Sequence, residues 1–326
     1  MLKNVGILGV GYSVPKHRMS NFDLEKIVNT SDEWITSRTG IKERRIVHKG
    51  EKTSHLAIRA AERALINARI SPTKIDLIIV ATVTPDSSFP STACLVQKAL
   101  GAKHAAAFDL AAACTGYLYA ITTAKQFIRA GTYKHALVIA AETMSSIIDW
   151  EDRNTCVLFG DGAGACVLGV VNSKGIMADY LEGHGEYSDL MSVVVEGCRH
   201  PSDSKTNVGK LPYIVMQGKE IFKIAVNSMA HTVHVAVKKA SIKLSDIDCV
   251  VPHQANDRII SAVAKKLNIP KDKFFINIDR YGNMSAASLA VALAEAVEHK
   301  RIRKGDYVLL VAFGAGLVSG ANVVKW

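Results

Sequence analysis

The chain of 326 residues contains two similar series of predicted elements, and this internal duplication limits the possible folds more than any other feature. An apolar run at 75–82 resembles a second run at 247–254, about half a chain length later, and each continues through a turn into a helical pattern. Near-continuous apolar strands that alternate with helices favour sheets covered on both faces. We therefore predict an α/β protein of two duplicated halves, 1–172 and 173–326, packed as a layered α/β/α/β/α body. Chance likeness between generic βα units is the alternative.

Charge limits the classes of partner. The formal net charge of +10 favours anionic partners, but the 40 Lys and Arg residues are spread along the chain rather than gathered in one arm. A phosphorylated ligand or an acidic protein fits as well as nucleic acid, and an ordinary solvated surface is the bland alternative. The 48% apolar content is that of a globular protein. We expect no nucleic-acid partner.

The cysteines and the N-terminal residues indicate the cellular compartment. The chain has six cysteines and no C-x-x-C pair: Cys94, Cys114, Cys156, Cys166, Cys198 and Cys249. A chain of this length does not depend on disulfides, so we expect reduced thiols in a cytoplasmic protein. Residues 1–11 are typical of a first strand and not of a signal peptide, and no apolar run approaches the roughly 18 residues of a membrane span. We expect a protein that is neither exported nor embedded.

Three polar residues stand where predicted strands or turns of the two halves end. Cys114 follows an apolar strand at the predicted start of a helix, where free N–H groups and the helix dipole lower the pKa of a thiol. His253 follows Pro252, which we expect to end the strand pairing and to expose the imidazole. Asn283 occupies the turn of the second half that corresponds to the Cys114 turn. Each residue alone is more simply explained as core or turn.

Together these three residues suit thioester chemistry. A cysteine sulfur accepts an acyl group, while an imidazole N–H and an amide N–H stabilise a developing enolate oxygen. The same residue types occur in Cys-His-Asn hydrolases, although the duplicated frame and the local cysteine sequence are unlike theirs. We predict no metal site.

The glycines at 6, 9 and 11 resemble a dinucleotide fingerprint, but Val14 stands where its last glycine belongs. We interpret these glycines as positions of turns and close packing rather than as a nucleotide site.

Several strings, in order and with their spacing, resemble the β-ketoacyl-acyl carrier protein synthase III enzymes of the thiolase-like superfamily over essentially the whole chain. They are DEWI at 32–35, RTGI at 38–41, DLAAAC at 109–114, FGDGAG at 159–164, VPHQAN at 251–256, GN at 282–283 and FGAG at 313–316. The resemblance implies a thiolase-like five-layered fold. It also implies decarboxylative condensation of an acyl-coenzyme A, with acetyl-coenzyme A expected, and a malonyl-acyl carrier protein, which initiates fatty acid synthesis.

The resemblance also implies roles for individual residues. Cys114 would carry the acyl group, His253 and Asn283 would promote decarboxylation, and the N–H groups of Cys114 and Ala315 would form an oxyanion hole. Many relatives have glycine in place of Ala315, so this substitution is harmless only if a positive φ is not needed there. Coenzyme A itself is a substrate and no further cofactor is implied.

The substrate-binding residues follow from the same likeness. Coenzyme A would contact Thr30, Trp34, Arg38, Arg153, Phe222, Lys223 and Asn256, with the adenine between the indole and the Arg153 guanidinium. The acidic carrier protein would dock on Arg258, Lys265 and Lys266. The family is homodimeric, and Phe89 would reach the primer pocket of the partner subunit. A branched or longer primer, a role in secondary metabolism and a non-catalytic binding protein on the same fold remain open.

Overall fold

The computed structural model describes residues 3–193 and 213–326, so Cys198 lies outside the described residues. The described strands are β1 (Val5–Ser13), β2 (Arg18–Ser20), β3 (Glu43–Arg45), β4 (Leu77–Ala81), β5 (Ala106–Leu110), β6 (His135–Thr143), β7 (Asp161–Val170), β8 (Gly175–Gly183), β9 (Met191–Val193), β10 (Ile214–Met216), β11 (Cys249–Pro252), β12 (Tyr307–Gly314) and β13 (Val318–Lys325). The described α-helices are α1 (Asn21–Leu24), α2 (Asp32–Thr39), α3 (Thr53–Ala68), α4 (Thr92–Leu100), α5 (Gly116–Ala130), α6 (Arg153–Cys156), α7 (Gly218–Lys239), α8 (Asp257–Leu267), α9 (Ile278–Tyr281) and α10 (Ala286–Glu298).

The two large sheets have the same strand order. The first runs β1-β7-β6-β4-β5, and the second, read from β8, runs β8-β13-β12-β11. In both sheets the third strand of this order pairs in parallel with the fourth and antiparallel with the second. Where the second sheet would have a fifth strand, a single parallel bridge joins Val250 to Phe274. The duplication therefore extends to the strand pairing.

Five layers stack through the molecule. Helices α5 and α10 lie between the two sheets, where Leu118, Ile121, Leu289 and Leu293 are fully buried in one cluster with strands of both sheets. Helices α3 and α4 cover the other face of the first sheet, and α7 and α8 cover that of the second. The predicted α/β/α/β/α architecture is confirmed.

The starts of the two central helices meet. A Cβ placed on Gly116 at the start of α5 would lie 3.5 Å from the Cβ of Ala286 at the start of α10. The residues that precede these helices, Thr115 and Ser285, make no side-chain capping hydrogen bond. The first N–H groups of these helices bond instead to backbone carbonyls of the preceding turns, as Ala287 does to Met284 and Ser288 to Ser285.

The strands of the first sheet end at Val170, and those of the second begin at Gly175. We propose this connection, with a division at residue 172, as the boundary between the two halves. None of the described helices is both long enough and apolar enough to cross a membrane.

The N-terminal glycines serve close packing. Strand β1 lies against α3, and a Cβ on Gly11 would lie 2.6 Å from the Ala60 carbonyl oxygen and still closer to the Ala64 nitrogen. Gly9 meets the backbone of Ala68 in the same way. These contacts are with helix backbone, which cannot turn aside as a side chain can. The interpretation as close packing is confirmed for Gly9 and Gly11.

We expect Gly11→Ala to lower the free energy of unfolding by about 1–3 kcal/mol, because the strand must move away from α3 to admit a methyl group. Denaturant unfolding followed by circular dichroism measures the change. Gly185→Ala is the matched control, since a Cβ there meets no atom within 4 Å. Equal stability of the two variants would contradict the packing role.

Candidate active site

One cavity of about 860 Å³ brings together residues from both halves of the chain. Cys114, His253 and Asn283 line it, and each is at most 6% exposed. Arg258 and Lys223 also line it and are exposed to solvent. The cavity therefore has a buried polar end and a charged outer end, and the three residues predicted from the sequence lie at the buried end.

Cys114 lies in a short 3₁₀ turn, Ala113–Thr115, between β5 and α5. Ala113 has a positive φ of 44°, which turns the chain sharply before the helix. The expected lowering of the thiol pKa is wrong: burial raises the pKa of Cys114 to about 12. Loss of hydration disfavours the charged form, so the resting residue is a neutral thiol.

His253 follows directly from β11, but it is not exposed as we predicted. Pro252 remains in the strand and pairs with Val311, and the His253 nitrogen continues the ladder with a 2.8 Å hydrogen bond to the Val311 oxygen. The imidazole is buried, and burial lowers the pKa of His253 to about 3. Proline is tolerated because its missing N–H falls on the side of the strand away from β12. A neutral ring at physiological pH carries one N–H donor.

Asn283 is held in a rigid turn before α10. Its backbone nitrogen donates to the Leu158 oxygen at 2.8 Å, and its carbonyl accepts from Gly160 at 3.0 Å. Its Oδ1 accepts from the Ser285 nitrogen at 2.9 Å. Because Oδ1 is engaged, the Nδ2 amide group is the one that can donate to a ligand.

The predicted oxyanion hole lies at the contact between β12 and the cysteine turn. A Cβ on Gly314 would lie 2.8 Å from the Cys114 nitrogen, so the chain just before Ala315 comes very close to this turn. Six described residues other than glycine have a positive φ, and Ala315 is not among them. The backbone at Ala315 does not have the positive φ that would favour glycine, so an alanine fits this position without strain.

The predicted coenzyme A residues divide into two groups. Arg38, Phe222, Lys223 and Asn256 line the cavity. Two arginines contact the Trp34 indole, with the Arg153 guanidinium 4.5 Å and that of Arg38 4.7 Å from its ring centroid. An adenine stacked between the indole and the Arg153 guanidinium makes two contacts of about 3.5 Å, so these two groups would have to lie roughly 7 Å apart. An adenine therefore enters this predicted site only if Arg153 moves away from the indole.

The remaining predicted residues lie outside the buried end. Thr30 is partly buried, and its hydroxyl has no hydrogen-bond partner in the described chain. Arg258 in the first turn of α8 lines the cavity, while Lys265 and Lys266 are exposed in its last turn. Phe89 is 85% exposed in the loop before α4.

Two features of the site were missed. Met191, Ile214 and Met216 of the β9–β10 pair form an apolar wall of the cavity, and their short strands have no distinctive pattern. Glu142 is fully buried at the end of β6 and raises the pKa of the Cys114 thiol. A carboxylate at the end of an otherwise apolar run was the available signal for it. The described residues contain no group of metal-ligating side chains.

Comparisons with known proteins agree with this geometry. Family models described as 3-oxoacyl-[acyl-carrier-protein] synthase III and its C-terminal region match residues 108–185 and 237–326. A beta-ketoacyl-[acyl-carrier-protein] synthase III of Caldanaerobacter subterraneus is 52% identical over 98% of this chain and 97% of its own. A beta-ketoacyl-[acyl-carrier-protein] synthase III of Clostridioides difficile is 51% identical over 100% of this chain and 99% of its own.

A solved structure gives the same result. The crystal structure of 3-oxoacyl-[acyl-carrier-protein] synthase III from Aquifex aeolicus has a TM-score of 0.92 and 48% identity, covering 99% of this chain and 100% of that one. The likeness includes both sheets and the central helices, so the cysteine, histidine and asparagine turns lie in a common frame. This chain belongs to the 3-oxoacyl-[acyl-carrier-protein] synthase III family.

Proposed function

We propose that this protein condenses an acyl-coenzyme A primer, acetyl-coenzyme A in the first instance, with malonyl-acyl carrier protein. Carbon dioxide is lost, and the product, a 3-oxoacyl-acyl carrier protein, starts type II fatty acid synthesis. The observation that carries this proposal is the meeting of Cys114, His253 and Asn283 at the buried end of one cavity. A nucleophile and two donors in a water-poor site are what thioester condensation needs.

The first step is transfer of the acyl group to Cys114. Its sulfur attacks the thioester carbonyl, and the N–H groups of Cys114 and Ala315 stabilise the oxyanion. Coenzyme A then leaves as its thiol. The neutral resting thiol must lose its proton during this step, because burial disfavours a thiolate.

The second step is decarboxylation of the malonyl group. His253 and Asn283 donate hydrogen bonds to the thioester oxygen, which becomes negatively charged as carbon dioxide leaves. The resulting carbanion attacks the acyl carbonyl on Cys114 and releases the sulfur. A buried and neutral His253 suits this role, since it donates without carrying a charge that would hold the malonyl carboxylate in place.

Substrate binding uses the charged outer end of the cavity. We assign Thr30, Trp34, Arg38, Arg153, Phe222, Lys223 and Asn256 to coenzyme A, and Arg258, Lys265 and Lys266 to the carrier protein. Asn256 supports this assignment as an organiser: it caps α8 through the Arg258 nitrogen and donates to the Arg38 carbonyl at 3.1 Å. Asn256 therefore connects the residues assigned to coenzyme A with those assigned to the carrier protein.

We also propose a homodimer that acts in the cytoplasm. Strand β5 is the edge strand of the first sheet, and all five of its residues are only partly buried. An edge of this kind pairs readily with a second copy. The exposed Phe89 lies in the loop that precedes the neighbouring helix α4, so it can reach a partner subunit. The five described cysteines are free thiols, which fits a reducing compartment.

The proposed function predicts release of coenzyme A and carbon dioxide when acetyl-coenzyme A and malonyl-carrier are both supplied. Cys114→Ala should abolish labelling of the protein by radioactive acetyl-coenzyme A. Cys94→Ala removes a partly buried thiol elsewhere and should label normally. Acylation alone releases one equivalent of coenzyme A per site, so continuous release over many turnovers without malonyl-carrier would instead indicate a hydrolase, and label on another cysteine would exclude Cys114.

We expect His253→Ala and Asn283→Ala to accept an acyl group and to lose malonyl decarboxylation. Removing one such donor costs on the order of 10² to 10³ in rate, and the double variant should be less than additively worse because both donors act on one oxygen. Single-turnover acylation and carbon dioxide release measure the two steps. An Asn283→Ala enzyme that acylates poorly but decarboxylates normally would refute these roles.

Binding of the two substrates should be separable. Trp34→Ala with Arg153→Ala should weaken coenzyme A binding more than carrier docking, and Arg258→Glu should do the reverse, because it opposes an acidic partner. Calorimetry with each substrate measures both. Lys304→Glu is the charge-matched control, because Lys304 is exposed and precedes β12, whose other end, Gly314, lines the cavity. Equal effects of all changes on both substrates would contradict the assignment.

A further inference from the structure

The cavity residues described so far leave the Cys114 proton without an acceptor. The thiol must lose this proton as the acyl group arrives, but the buried His253 is a weak base, with its pKa lowered to about 3. An acceptor has to reach the thiol from another direction. The groups that surround Cys114 on the side of the first sheet supply one.

Glu142 is fully buried at the end of β6 and uses only one of its oxygens. Its Oε2 accepts from the Thr84 hydroxyl at 2.6 Å, the Thr82 hydroxyl at 3.2 Å, and the nitrogens of Val83 and Thr84 at 3.1 and 3.2 Å. Its Oε1 is buried and has no hydrogen-bond partner in the described chain. Burying a carboxyl oxygen without a hydrogen bond costs free energy of folding, so a functional reason for it is expected.

Ser285 connects this carboxyl group to the thiol. Its hydroxyl lies near enough to both Cys114 and Glu142 to lower the pKa of each. The residue is 2% exposed and has an unusual positive φ of 48°, held by the hydrogen bond from its nitrogen to the Asn283 side chain. The strained backbone places a hydroxyl between the two groups.

A purely structural role does not account for this arrangement. Asp161 is the comparison, because it is also buried and also anchors loops. Its Oδ1 accepts from the Ser145 nitrogen, and its Oδ2 from the Val47 nitrogen and the Ser145 hydroxyl. Both of its oxygens are used. Glu142 anchors the loop after β4 with one oxygen and keeps the other beside Ser285.

We propose that Ser285 and Glu142 form a proton relay for the acylation of Cys114, an inference that rests on the proposed role of Cys114. As Sγ bonds to the thioester carbon, the thiol proton passes to the Ser285 oxygen while the Ser285 proton passes to Glu142 Oε1. The bond from that carbon to the coenzyme A sulfur breaks. The same route returns the proton to the departing thiolate, so that coenzyme A leaves as a thiol and Glu142 is again ionised.

The charge state of Glu142 sets the pH range of the relay. Burial raises the pKa of Glu142 to about 7, opposed mainly by hydrogen bonds from Thr84, Val83, Ser285 and Thr82. None of those four groups carries a charge, and the titratable group coupled to Glu142 is the Cys114 thiol. The carboxylate, which is the accepting form, is present above this pKa. The fraction of Glu142 that can accept the proton therefore increases as pH rises through about 7.

The test measures the rate of Cys114 alkylation by iodoacetamide, mapped by mass spectrometry, and single-turnover acylation from acetyl-coenzyme A between pH 5.5 and 9. We expect an inflection near pH 7 in the unaltered enzyme. Glu142→Gln and Ser285→Ala should lose it, with acylation at pH 8 slower by on the order of 10²-fold. Glu142→Asp should restore part of the rate. Asp161→Asn is the control and should keep the inflection.

Carbon dioxide release from malonyl-carrier separates the relay from the rest of the mechanism. Glu142→Gln should retain it, because that step uses His253 and Asn283. The relay would be overturned if Glu142→Gln and Ser285→Ala acylate within twofold of the normal rate and keep the inflection. It would also be overturned if acylation and carbon dioxide release were lost equally. If Glu142→Gln does not fold, Ser285→Ala decides alone, since it leaves the carboxyl group buried in place. A wild-type enzyme that never acquires an acyl group would refute the proposed function instead.

Discussion

The packing of α5 against α10 between two apolar sheets is the contact on which the rest of the structure depends. Helix α5 begins with Gly116 and helix α10 with Ala286 and Ala287, and these small residues let the starts of the two helices approach closely. That approach places the cysteine turn of one half against the asparagine turn of the other. The site is therefore a consequence of how the duplicated halves pack, and neither half contains it alone.

Burial is the second constraint, and it changes the chemistry of the groups it brings together. A cavity closed at its inner end favours neutral forms, so Cys114 rests as a thiol and His253 as an uncharged ring. The neutral histidine is an advantage for donating to an enolate oxygen. The neutral thiol is a difficulty, because acylation then needs a proton acceptor, and Glu142 with Ser285 is the pair whose geometry meets that need.

Much of this was accessible from residue patterns. Strand-length apolar runs, the helices that follow them and the repeat itself predicted the duplicated halves and the layers, because apolar periodicity indicates which faces must be covered. The cysteine, histidine and asparagine were found because each follows a strand or turn at an equivalent place. The close-packing glycines of β1 were also predicted, since the fingerprint lacked its last glycine at Val14.

The sequence by itself determined the duplicated α/β frame, the positions of the three polar residues and the family, since these depend on local order and spacing along the chain. Tertiary structure decided the protonation of those residues, because desolvation depends on everything packed around a group and not on its neighbours in sequence. It also brought Arg153 against Trp34 and Glu142 beside Ser285, contacts between residues far apart in the chain. The expected thiolate and the expected exposed imidazole were wrong for the same reason: a local pattern predicts where a side chain lies along the chain, but not how much water surrounds it.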